Sequence, residues 1–322
     1  MWSPLRVRFS PIVYFLLSAL VPVLFLEPVL AQFPLPAVAP APPEVVRPVF
    51  EPGHTYRFVS RVELRTQLES GVMGEAMIEQ QSRFDAGVRV DGKKGVVLKG
   101  RTERLEVQLR SGGRILSYNS MNPGDQETPM GKHFRAALAR SVDLTLSEKL
   151  RVVSSTEGGR EAPEPALEGI PRFGPDELKQ LISTLPLGFT TVAVQQGDVW
   201  VLEGRRPVAG AGNLNFEVTY RHRGRANVED FNCVNIEVSG QLSGNVPLPA
   251  SESEESVPAG MEIQGGGIDG RILFDPLDRM VRYSEQSINL LLVIPGGEGE
   301  APRQVPVQQI ATVRLLHVVP TP

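Results

Sequence analysis

Between Tyr56 and Glu69 the chain alternates. Tyr56, Phe58, Val62, Leu64 and Leu68 share one parity, and Arg57, Arg61, Glu63, Arg65, Gln67 and Glu69 share the other. A period of two puts these sets on opposite faces of a strand, one buried and one wet. The next segment repeats the pattern, with Val72, Ala76, Ile78, Phe84, Val88 and Val90 against Glu75, Glu79, Gln81, Arg83, Asp85 and Arg89. Gly71 and the Asp91-Gly92 pair supply the turns, since both residues of an Asp-Gly corner tolerate positive φ. Between Val96 and Leu109 the apolar parity slips, from Val96 and Leu98 to Leu105, Val107 and Leu109, as a β-bulge or a break in the strand would produce. Alternation returns in the second half: Leu214, Phe216, Val218 and Tyr220 oppose Asn215, Glu217, Thr219 and Arg221. Val234, Ile236 and Val238 follow, then Ile268, Ile272 and Phe274, then the run Ile288 to Ile294. The last strand, Val305 to Val319, is apolar on both parities toward its end, which predicts cover on both faces.

Helical spacing is rare. Met130, Phe134 and Leu138, with Ala137 beside them, make one stripe; Leu178, Leu181, Ile182 and Leu185 make another at i, i+3, i+4, i+7. Pro175 and Pro186 bracket the second. The pattern predicts a mainly β protein: a large antiparallel meander sheet or half-barrel with two short helices. A polar break around Glu157–Pro165 divides it into halves at 50–157 and 174–319. Each half holds several strands and a helix, as an internal duplication would leave them, although no residue-level repeat is present.

Ahead of this pattern lies a different kind of sequence. Arg6 and Arg8 precede an apolar run from Ile12 to Leu26, and Val29-Leu30-Ala31 follows with small residues where an export peptidase reads. That layout predicts a signal peptide over 1–31 and an exported, periplasmic or extracellular, chain from Gln32. The apolar run is short of the ~20 residues a spanning helix needs, so no stable membrane span is expected after cleavage. Residues 32–49 are proline-rich and read as an extended linker ahead of a β-rich domain at 50–319.

Composition narrows the classes. The net charge is −4 over 322 residues with both signs well mixed, which argues against nucleic acid as a partner. Cys233 is the one cysteine, so stability rests on packing and pairing rather than on disulfides. The sequence has no Asn-x-Ser/Thr acceptor, no Gly-x-Ser-x-Gly elbow, no Ser-x-x-Lys and no HExxH. Four histidines, His54, His133, His222 and His317, are scattered without metal-ligand spacing. No catalytic residue, metal ligand or cofactor is therefore expected.

A few local features carry candidate chemistry. Arg221, Arg223 and Arg225 concentrate charge at a strand end; arginine forks bind carboxylate or phosphate, and the competing reading is a solvated hairpin tip. Gly265-Gly266-Gly267 lacks the Lys-Ser/Thr and helix of a phosphate loop and reads as a flexible turn. Asp275 and Asp278 offer two carboxylates to calcium, but Asp-Pro is also a preferred start for a type I turn. Cys233 has the parity opposite to Val234, Ile236 and Val238, which predicts partial access. Trp200, alternating in a strand, reads as a core anchor.

Arg114-Ile-Leu-Ser-Tyr-Asn-Ser120, a helix, and then Leu144–Val153 resemble a family of exported bacterial proteins of unknown function, in which a strand ending Tyr-Asp-Ser leads to a helix and a further strand. Gly197-Asp-Val-Trp200 and Gly270–Asp275 are similar to its later landmarks, while Asn119 stands where that family has Asp. The resemblance implies a β-rich exported domain and no activity. In outline the arrangement is also similar to periplasmic lipoprotein carriers, in which helices cover one face of a curved sheet, here Leu178, Leu181, Ile182 and Leu185. The expected function is non-enzymatic binding of an apolar or extended ligand or an envelope partner. The alternatives are a structural or adhesive envelope protein and, last, a hydrolase without a recognisable motif.

Overall fold

The computed structural model describes residues 43–67, 73–89, 91, 94–111, 113–158, 175–185, 189, 192–208, 212–247, 260–294 and 301–321. The expected signal peptide, and the linker up to residue 42, lie outside them. The N-terminal half contributes β1 (His54–Gln67), β2 (Met73–Val88), β3 (Val96–Ser111), β4 (Arg114–Asn119), β5 (Ser141–Leu146) and β6 (Val152–Gly158). The C-terminal half contributes β7 (Val199–Val208), β8 (Gly212–Val228), β9 (Phe231–Pro247), β10 (Gly260–Asp275), β11 (Met280–Ile294) and β12 (Arg303–Pro320). Three short helices, α1 (Pro123–Gln126), α2 (Pro129–Ala139) and α3 (Pro175–Thr184), complete the described elements. The single turn α1 is additional to the two expected helices; Asn122 caps it, its side chain accepting from the Gly124 N–H at 3.1 Å.

All twelve strands belong to one antiparallel sheet in the order β6-β5-β3-β2-β1-β12-β11-β10-β9-β8-β7, with β4 also on β3. The sheet is not closed; β6 and β7 are its edges. The chain starts at the middle of the sheet, meanders to one edge, crosses to the other, and meanders back until β12 zips onto β1. That seam runs from His54 opposite Pro320 to Thr66 opposite Val307. The two halves are thus one sheet.

The period-two reading translates directly into faces. On the outer face opposite charges stand across neighbouring strands: Arg65 faces Glu75, and Arg61 faces Glu79, each with an ion pair at 3.9 Å. The slip in β3 is a bulge at Glu103, where Gln81 and Ser82 oppose Arg104 and Thr102, so that Thr102 and Leu105 both point inward. At the ends of strands the pattern loses force: Val88 is 75% exposed, and the apolar end of β12 is covered on one face only, with Leu315 buried and Leu316 and Val319 exposed.

The core lies on the inner face. Phe134 of α2 packs against Tyr118 at 5.1 Å, and α3 lies against β3, β5 and β6. Both helices therefore sit over the N-terminal half, as their apolar stripes require. At one end of the sheet the segment 43–51, the end of the proline-rich stretch, is docked. Glu44 and Val194 exchange backbone hydrogen bonds of 2.8 and 2.9 Å, the Val49 N–H donates to the Arg279 carbonyl at 2.9 Å, and Val46 is fully buried.

Candidate functional site

Antiparallel register identifies which side chains share the inner face, because directly opposed residues point the same way. Leu109, Ala76, Leu64, Gln309, Ile288 and Ile268 form one row across six strands, continued by Gly240, Val218 and Leu202. The row on one side holds Gly74, Thr66, Val307, Leu290, Gly266 and Leu242; that on the other side holds Ile78, Val62, Ala311, Gln286, Gly270 and Val238. None of these residues is charged. A Cβ on Gly240 would fall 2.4 Å from the Glu217 carbonyl oxygen, so a bare backbone is needed where β8 and β9 press together.

This face is apolar but not uniformly so. A polar seam follows the middle strands, with Ser60, Gln80, Ser82, Thr102, Thr66 and Gln309 on it. Part of it is satisfied internally: the Gln80 side-chain amide donates to the Thr102 hydroxyl at 2.7 Å. Gln309 is 1% exposed and neither its amide oxygen nor its amide nitrogen has a partner; the Thr66 and Ser82 hydroxyls are likewise buried and unpartnered. Farther along the same face Trp200 stacks on Tyr220 at 5.8 Å and 13°, and burial pushes the Tyr220 hydroxyl well up from its ordinary value. Trp200 is thus a core residue, as its alternation implied.

The sequence candidates fall in separate places. Arg221 and Arg223 share the outer face with Glu237, and Arg223 holds it at 2.7 Å. Gly224, at φ +97°, forms a bulge after which Arg225 is opposed to Val234 and points to the inner side. There Arg225 pairs with Glu44 at 2.7 Å and donates to the Asn232 carbonyl at 3.0 Å. The three guanidinium groups therefore do not converge on an anion. Leu178, Leu181, Ile182 and Leu185 are all buried where α3 meets the sheet.

Asp275 accepts from the Leu277 and Asp278 N–H groups, the turn its Asp-Pro start implied. The cationic place beside both carboxylates is filled by Arg282, 2.9 Å from Asp275 and also bonded to Asp278. The Arg282 guanidinium lies 3.7 Å over the Phe231 ring. Next to this pair Cys233 is fully buried rather than partly accessible, since the buried Asp275 and Arg282 lie beside it on the outer face; burial and then Asp275 push its thiol up. Gly265-Gly266-Gly267 lies inside β10, not in a turn: Gly265 takes φ +75° at a bulge and Gly266 is wedged between Leu242 and Leu290.

His54, His133, His222 and His317 lie apart in β1, α2, β8 and β12, and among the described residues no group of three or more His, Cys, Asp or Glu is placed to hold a metal. Among the described residues two grooves open on the outer, polar face. One of about 200 Å³ lies among Arg61, Glu63, Arg65, Glu75 and Arg110, and one of about 600 Å³ among Glu203, Asn215, Glu217, Gln241 and Ser243. Among the described residues no helix is long and apolar enough to cross a membrane.

The inner face and open topology define a class, the large open antiparallel meander sheets. No family model and no curated protein matches the chain, so the likeness read from Arg114–Ser120 and the later landmarks has no family match behind it. Among solved structures the chain is similar to one titled "Lipid-protein interactions in lipovitellin", at 9% identity and a TM-score of 0.47. The likeness covers 85% of this chain and 26% of that one, so the chain spans about a quarter of the structure it matches. At that score the likeness carries no functional argument.

Proposed function

We propose that the chain is an exported, non-enzymatic binding protein that holds an apolar ligand against the inner face of its sheet. One observation carries this reading. Three successive register rows on that face are free of charge across six strands, while the described helices sit over β3, β5 and β6 and leave β7–β11 without a helix. The apolar side chains of those rows are enclosed, with Leu64 at 1%, Leu242 at 2% and Ile288 at 4% exposure. A ligand held against them therefore lies in apolar surroundings, where burial is worth roughly 25 cal/mol for every Å² removed from water. A neutral, elongated apolar molecule matches that face. Export is read from Arg6, Arg8 and the apolar run up to Ala31.

Native mass spectrometry of the chain from Gln32, purified gently from an exporting host, tests the reading. A bound mass that leaves on denaturation is the expected outcome, and its identity names the ligand. A bare monomer mass from every preparation would overturn it, and a discrete ligand-free multimer would favour a structural role in the envelope instead.

A further inference from the structure

Buried polar groups in folded proteins almost always have partners, and each orphan asks for a reason. Here Thr66, Ser82, Tyr220 and Gln309 carry such orphans on the inner face. Gln309 has an amide oxygen and an amide nitrogen without partners at 1% exposure, and Thr66, also 1% exposed, has an unpartnered hydroxyl. The two are diagonal neighbours across the seam: Leu64 opposes Gln309 and Thr66 opposes Val307. Diagonal neighbours stand about 7–8 Å apart with their Cβ atoms somewhat closer, within reach of one small polar group lying between them. Around them stand Leu64, Ile288, Val307 and Leu290, all buried and apolar.

We propose that Gln309 and Thr66 form the polar recognition point of the ligand site, and that the ligand is an acyl chain bearing a neutral ester or amide. The inference rests on the apolar-ligand reading above and adds what the ligand must carry. An amide side chain offers N–H groups to a carbonyl oxygen and an oxygen to a hydroxyl or N–H; a threonine hydroxyl can do either. An ester or amide presents such a carbonyl in the middle of apolar chain. A fatty acid carboxylate does not match, because the register rows through Gln309 and Thr66 contain no cationic residue, and a buried carboxylate without a counter-charge is strongly disfavoured. A bare hydrocarbon leaves the amide unpaired.

The test uses N-phenyl-1-naphthylamine as a fluorescent reporter of the apolar face, displaced from the purified chain by monopalmitoylglycerol or by palmitate at mildly alkaline pH. The wild type should release the reporter to the glycerol ester at concentrations at least about tenfold below those needed for palmitate, the worth of one well-made neutral hydrogen bond. Gln309→Leu and Thr66→Val should each lose about that factor toward the ester while the reporter and palmitate bind as before. Circular dichroism and the melting temperature establish that both variants are folded, and two independent sites guard against one failing. If the reporter binds and both variants respond to the ester as the wild type does, the polar seam is scaffold and the inference falls while the apolar-ligand reading stands. If the reporter does not bind the wild type at all, the apolar-ligand reading itself falls, and this inference with it.

Discussion

His222 is buried on the inner side of β8, where its Nδ1 accepts the Gly224 N–H at 3.0 Å. That bond needs a lone pair on Nδ1, so the folded protein holds the ring neutral with the proton on Nε2. Burial holds its pKa below the ordinary histidine value, ahead of the opposing pull of Glu44, the push of Arg225 and the pull of Asp198. A depressed folded value means that the unfolded chain binds the proton first. Stability contributed by His222 is then complete above the unfolded value of about 6.5 and declines as pH falls through the lower folded value. His222→Asn keeps an acceptor near Nδ1 and removes the titration. Melting curves from neutral to mildly acidic pH should show a shallower loss in this variant than in the wild type; parallel losses would disprove the assignment. The buried Asp275–Arg282 pair makes a second residue-scale case. Asp275→Asn leaves Arg282 buried without its main counter-charge and should cost about 3–5 kcal/mol in denaturant unfolding. The double change with Arg282→Met should cost clearly less than the sum of the singles. At Gln309 the sign reverses: leucine removes an unpaired amide and should stabilise the empty protein by about 1–3 kcal/mol.

Among the elements, β8 shows how one residue re-aims a strand. Gly224 sits at φ +97°, and a Cβ there would come 3.0 Å from the Gln196 side chain. Gly224→Ala should therefore cost about 1–2 kcal/mol from the backbone alone. It should also loosen the Arg225–Glu44 pair that clamps segment 43–51, so limited proteolysis should cut ahead of β1 sooner than in the wild type. The sequence made the strands themselves legible, because Tyr56–Leu64 or Phe216–Tyr220 can bury one face only by alternating. The bulge in β3 was legible too, as a slip of parity between Leu98 and Leu105. Bulges built on glycine were not. At Gly224 and Gly265 there is no side chain to mark the slip, so Arg225 read as a neighbour of Arg221 and Gly265–Gly267 read as a turn. The capped turn α1 had a usable signal in Asn122-Pro123. The polar seam had a fainter one: Gln309 falls on the apolar parity of Val307 and Ala311, but only the register with Leu64 shows that it is enclosed.

For the whole molecule the decisive fact is invisible in any local pattern: β12 pairs with β1 across more than two hundred intervening residues. Nothing in the alternation of either strand names its partner; that choice follows from both halves having one free central edge to satisfy. The sheet is therefore one cooperative structure rather than two, and circular dichroism and tryptophan fluorescence should report a single coincident thermal transition. Removing β12 from Arg303 onward should abolish that transition in both halves, and survival of a stable N-terminal half would show that the seam is dispensable. Long-range pairing of this kind also makes folding slow for a chain of this length.

The seam has a mechanical side as well. The Thr321 N–H reaches the Gly53 carbonyl at 2.7 Å, so the first strand begins where the last one ends. Tension applied between the two ends of the domain falls on the outermost hydrogen bonds of the β1–β12 ladder one at a time, not on all of them together. A molecule tethered by its leading segment and pulled by its tail should part down its middle like a zip, at low force, and lay open the face where we place the ligand. Single-molecule pulling from those two points, compared with pulling across β6 and β7, would measure that difference directly.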